Sequence, residues 1–172
     1  MIMRYFLIVF SVFLFFPLIL NANSGQKEFC RINKKYIDLS RETNKQLKLQ
    51  LYKRKRKKEL SKLNHDFSKW EGSIQSIDSV GDEHAYVSIS VCSNVSIKTW
   101  NNEFSDMFDG TLIHIDSELY EQILEFENGL EVITSGKFLS SDTDFFKETS
   151  ITDKGSLNEP EYLVNFKLIQ KK

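Results

Sequence analysis

The stretch Trp70-Glu71-Gly72-Ser73-Ile74-Gln75-Ser76-Ile77, followed after a turn by Ala85-Tyr86-Val87-Ser88-Ile89-Ser90-Val91, decides the fold class. In the second run Ala85, Val87, Ile89 and Val91 share one face while Tyr86, Ser88 and Ser90 share the other. That is the period-two pattern of an antiparallel strand with one side buried. In the first run the parity changes between Ile74 and Ile77, which predicts a β-bulge, and Gly72 sits where a bent strand has no room for a side chain. A turn over residues 78–83 joins the two.

Working outward, a third strand is expected over residues 95–100, where Val95, Ile97 and Thr99 alternate. A loop rich in Asn, Asp and Gly leads to Ser117, a helix cap, and to a helix over residues 118–128. There Leu119, Ile123 and Leu124 share a face and Gly129 supplies the stop. A fourth strand is expected over 131–139 and a fifth over 162–169, with Tyr162, Val164, Phe166 and Leu168 alternating. Upstream, residues 32–64 hold neither Gly nor Pro and are rich in good helix formers, so one long or broken helix is expected either to lean on the strands or to pair weakly with a copy of itself. Its apolar stripe of Tyr36, Leu39, Leu47, Leu51, Leu60 and Leu63 is too sparse for a coiled coil. The chain thus divides into residues 1–24, a basic helical segment 25–66, and a β domain 67–172.

Three strands, a helix and two more strands, with a bent Gly-containing first strand, resemble the oligonucleotide and oligosaccharide binding (OB) fold, a small five-stranded barrel. A second likeness is carried by Thr99-Trp100-Asn101-Asn102 with Ser105-Asp106, and by Glu148-Thr149-Ser150-Ile151-Thr152 with Gly155-Ser156 and Glu159-Pro160-Glu161. These are similar to an uncharacterised family of bacterial exported proteins in which a small barrel follows a helical lead-in. The resemblance implies placement and architecture, and it lends no activity.

Residues 5–20 are almost wholly apolar, preceded by Arg4 and followed by Asn21-Ala22-Asn23-Ser24, the layout of a secretory signal with small residues at a cleavage point. Sixteen residues is short for a membrane span. Against cleavage stand Lys27, Arg31, Lys34 and Lys35, cations just beyond the apolar run, which leave an uncleaved anchor as the alternative. Periplasmic or secreted location is expected on the first reading and membrane attachment on the second. The residues before Cys30, Lys27-Glu28-Phe29, do not suit lipid attachment. The mature cysteines, Cys30 and Cys92, are read as separate thiols, one in a lead-in and one in an apolar strand, although a bridge across them would restrict the unfolded chain strongly.

A net charge of −1 conceals a split: 15 Lys and Arg against 5 Asp and Glu in residues 25–69, and 7 against 19 in residues 70–172. Either the basic segment meets an anionic surface, or its charge is answered inside the protein. Lys53, Arg54, Lys55, Arg56, Lys57 and Lys58 form its most polar turn, read as a solvent-facing run that could contact acidic lipid or acidic polymers. Nucleic acid is disfavoured. The usual OB ligand face lies between loops that carry Asp78, Asp82, Glu83, Asp142, Asp144, Glu148, Asp153 and Glu159, the wrong sign for phosphate.

For a small ligand, Trp100, Asn101, Asn102, Ser105 and Asp106 form the densest group able to stack on and hydrogen-bond a sugar or peptide. The competing reading is that Trp100 closes one end of the barrel while the others hold turns. His65, His84 and His114 are scattered, with neither metal-ligand spacing nor a nucleophile beside them, so no catalytic residue, metal or cofactor is assigned. The expected function is a non-enzymatic binding module of the periplasm or envelope for a protein, peptide or glycan. The alternative is a membrane-tethered scaffold that uses its basic helix.

Overall fold

A computed structural model describes residues 22–172. Residues 1–21, with most of the expected signal sequence or anchor, lie outside that range. Helix α1 (Ala22–Arg41) and helix α2 (Gln46–Leu60) come first. The basic helix is therefore broken, at residues 42–45, rather than continuous. Strands β1 (Asp66–Val80), β2 (His84–Cys92) and β3 (Val95–Lys98) follow, then a connection holding helix α3 (Glu103–Asp106), the short strand β4 (Ile113–His114) and helix α4 (Glu118–Ile123). After β5 (Glu131–Phe138) come a small hairpin of β6 (Ser140–Ser141) and β7 (Phe145–Phe146), helix α5 (Asp153–Asn158) and the last strand, β8 (Glu161–Lys171).

The fold is mainly β, and five of the strands close into a ring of hydrogen bonds. β1 runs antiparallel to both β2 and β5, β5 is antiparallel to β8, β8 is parallel to β3, and β3 returns antiparallel to β2. The parallel seam is the shortest, pairing Ser96, Ile97 and Lys98 with Glu161, Tyr162 and Leu163. β4 pairs with the start of β2, beside β3 on the same edge. The bulge expected in the first strand lies between Ile74 and Ser76. Gly72 is required by close approach: a Cβ there would lie 2.5 Å from the Ser90 carbonyl oxygen.

Two expectations fail for identifiable reasons. The helix foreseen over 118–128 ends at Ile123, and Leu124 is 62 % exposed instead of facing inward. The chain is drawn off the helix to complete the β1 bulge. Gly129 donates its N–H to the Ile74 carbonyl, and the Leu130 carbonyl accepts the Ile74 N–H. In β8 Tyr162 and Val164 are buried as expected, but Leu163 between them is buried too, and a register shift between Ser135 and Gly136 of β5 skips one residue, so Ile169 rather than Leu168 is buried.

α1 lays Phe29, Ile32, Tyr36 and Ile37 against the ring, the i, i+3, i+7, i+8 spacing of a helix face. Phe29 packs within about 6 Å of Trp70, Phe138, Phe146 and Tyr162. The Gln26 side chain accepts from the Glu71 N–H and donates to the Glu71 and Val91 carbonyls, so it is bonded to both β1 and β2. Next to it Cys30 and Cys92 form a disulfide with their Cα atoms 5.7 Å apart. Reading Cys30 as a free thiol in a lead-in is thus corrected: α1 is docked, and its third turn brings the sulfur to the end of β2. Among the described residues no helix is long and apolar enough to cross a membrane.

Candidate functional site

On the outer face of β1, β2 and β3 the side chains of Gln75, Ser90 and Ser96 point away from the core, on the polar phase of the strand alternation. Together with Asn94 in the β2–β3 turn they floor a cleft of about 450 Å³. Its wall is the segment between β7 and β8 together with the first residue of β8, contributing Ser150, Gly155, Glu159, Pro160 and Glu161. Hydroxyl, amide and carboxylate groups dominate this lining.

The wall is built residue by residue. Thr152 caps α5 by accepting the Gly155 N–H at 3.0 Å. The Glu148 carboxylate accepts the N–H groups of Ser150 and Glu161, and the Pro160 carbonyl accepts the Ser96 N–H, joining wall to floor. Glu161 accepts from Lys98 and from the Thr149 hydroxyl, each at 2.9 Å. Burial pushes its carboxyl up, but these two hydrogen bonds and the Lys98 charge outweigh that and hold it below the ordinary glutamate range.

Behind the wall stands α2, and here the basic run takes on a different meaning. Arg56 is 1 % exposed, donating to the Ser156 carbonyl at 2.5 Å and to the Ser156 hydroxyl at 2.9 Å, with Asp144 3.9 Å away and the Tyr162 ring beneath it. Lys53 lies 3.4 Å from Asp144 and 3.3 Å from Asp153, and Lys57 donates to the Asp142 carbonyl. The expectation of a uniformly solvent-facing run is therefore corrected. Leu49, Arg56 and Leu60 form the docked face of α2, and the acidic loop is answered by Lys53 and Arg56 within the molecule. Arg54, Lys55 and Lys58 remain exposed.

The structure places Trp100, Asn101, Asn102, Ser105 and Asp106 together, on α3 and the stretch leading into it, outside the cleft lining. Trp100 Nε1 donates to Asp109 at 2.7 Å, and Lys147 donates to the same carboxylate. Asn102 caps α3 by accepting the Ser105 N–H, and it donates to the Asn101 side-chain oxygen. Asp106 is buried and accepts from the Thr111 N–H, the Thr111 hydroxyl and the Leu112 N–H. These groups are engaged in holding their own loop. The connection also exposes Phe104 and Phe108, 83 % and 93 % accessible, which the sequence reading passed over although both interrupt a polar loop.

His84 and His114 face each other across the β2–β4 pair, and His65 packs on Phe145 and Phe146. Among the described residues no group of three or more His, Cys, Asp or Glu side chains is arranged to hold a metal ion. No protein-family model, curated protein or solved structure matches the chain.

Proposed function

We propose that this chain is an exported glycan-binding module whose ring of strands is a barrel of the OB type. The ring connectivity supports the fold assignment, because the parallel β3–β8 seam closes an otherwise antiparallel five-stranded sheet. The Cys30–Cys92 disulfide supports an oxidising compartment, in keeping with the secretory layout of the first residues. Fold type alone assigns no ligand, so the argument rests on the site.

The observation that carries the reading is the cleft over β2 and β3. It occupies the face that OB barrels commonly use, and its lining pairs hydroxyls and amides with the carboxylates of Glu159 and Glu161. Such groups match the alternating donors and acceptors of a sugar, and the scarcity of apolar lining beyond Val95 and Pro160 leaves little to grip a peptide side chain. Phosphate-rich ligands are disfavoured because the lining holds carboxylates and no Lys or Arg, and Lys98, bonded at the wall, is held by Glu161.

Titration of isotope-labelled protein with neutral oligosaccharides and with capped peptides, followed by amide chemical shifts, tests the reading. The expected result is saturable shifts with the sugars, confined to Gln75, Ser90, Asn94, Ser96, Ser150 and Glu159. Shifts confined to residues 100–106, or a response to peptides alone, would overturn it.

A further inference from the structure

We infer that the solvent side of the helical pair is a docking surface for an anionic lipid bilayer. The docked side of α2 is used up in holding the fold. Its opposite side carries Lys48, Arg54, Lys55 and Lys58, continued by Lys62 in the turn that follows, all exposed. None of these five side chains makes a hydrogen bond or ion pair among the described residues. Lys48, Lys55 and Lys62 recur every seven residues, and Lys58 lies one turn from both Lys55 and Lys62, so the charges line one stripe.

The stripe continues across to α1. Glu59 sits at the contact between the helices, where it is bonded to Lys35 at 2.5 Å, accepts from the Tyr36 hydroxyl, and lies 3.7 Å from Arg31. Glu59 is thus already matched by two cations of α1, and Glu28, bonded to Arg31, answers part of the Lys62 charge, while Lys48, Arg54, Lys55 and Lys58 have no acidic partner among the described residues. Lys27, further along α1, is exposed as well.

Two observations select lipid over other polyanions. Leu47 is 83 % exposed and Leu51, one turn later, is half-buried, both on the cationic side of α2. An apolar side chain among cations suits the boundary between headgroups and acyl chains, whereas the stripe has no aromatic ring to stack on a base. In the sequence, the apolar run of residues 5–20 also ends one residue before α1, so this layer is the part of the fold next to any bilayer that run enters. The acidic β domain is repelled by the same lipid, which makes the contact one-sided.

The test uses the full chain and compares partition onto vesicles containing phosphatidylglycerol with partition onto pure phosphatidylcholine, so that any uptake by the apolar run cancels. Preference for the anionic vesicles is expected at about tenfold or more in low salt, shrinking as salt is added. Replacing Lys48, Lys55, Lys58 and Lys62 by Gln removes the preference, Leu47→Gln weakens it at unchanged charge, and replacing Lys167 and Lys171 of β8 by Gln leaves it intact. All these side chains are exposed, so an unchanged thermal melt confirms folding of each variant. Equal partition onto both vesicle types, a preference that survives the fourfold change, or displacement from vesicles by duplex DNA together with indifference to Leu47→Gln would each overturn the proposal. Glycan shifts in the cleft are read separately, so either result stands without the other.

Discussion

Arg56 joins three parts of the molecule through one guanidinium: α2, the acidic loop at Asp144, and Ser156 in the wall of the cleft. Its loss would leave Asp144 buried with Lys53 as its remaining cation and the Ser156 carbonyl without its donor. Arg56→Ala is expected to cost about 3–5 kcal/mol in urea unfolding. Arg56→Lys keeps the charge but not the planar fork, and should fall between Ala and the native residue. Replacing both Arg56 and Asp144 by Leu should recover most of the loss, because no charge is then stranded. Its burial was legible in principle. Leu49, Lys53, Arg56 and Leu60 follow i, i+4, i+7, i+11, but the stripe is visible only if arginine is admitted to the apolar face, and six consecutive cations argue against doing so.

Among the elements, the contact of α1 with the end of β2 is held covalently by Cys30–Cys92 and by the Gln26 amide. A bridge spanning 62 residues stabilises by about 4 kcal/mol in the chain-entropy account. Replacing both cysteines by Ser should lower unfolding stability by that amount, and reductant should shift the native midpoint while leaving the double variant unmoved. The strands themselves were readable: Ala85, Val87, Ile89 and Val91 are all buried, as their alternation requires. The floor of the cleft was readable too, since Ser90 lies on the opposite phase of the same strand. Its wall was not. Residues 140–160 fold through two-residue strands, a six-residue helix and side-chain caps, and none of these is long enough to leave a period in the sequence. Trp100 drew attention as an aromatic beside amides, yet its ring nitrogen is committed to Asp109.

At the scale of the whole molecule, the junction between helices and ring responds to alkali. The Tyr162 phenol is buried and donates to Asn33 at 2.7 Å, and burial pushes its pKa up to about 12. The folded chain therefore holds this proton more tightly than the unfolded chain does. That contribution is complete below about pH 10 and is lost as pH rises toward about 12, at about 1.4 kcal/mol per pH unit. Tyr36, raised by burial and by its hydrogen bond to Glu59, acts in the same direction. Urea midpoints should accordingly hold steady from neutral pH to about pH 10 and then fall. Tyr162→Phe, less stable at neutral pH for want of the Asn33 bond, should show a shallower fall.

The β1–β2 hairpin adds a matter of reach. Its helical end is marked by Gln26 at Glu71 and Val91, while its turn at Gly81 lies against Glu103 of α3. About ten residues of strand separate the two, a path on the order of 30 Å. Phe104 and Phe108, bare on the stretch beside that turn, therefore stand at the far end of the hairpin from the α1 contact, two rings held apart from the helical layer.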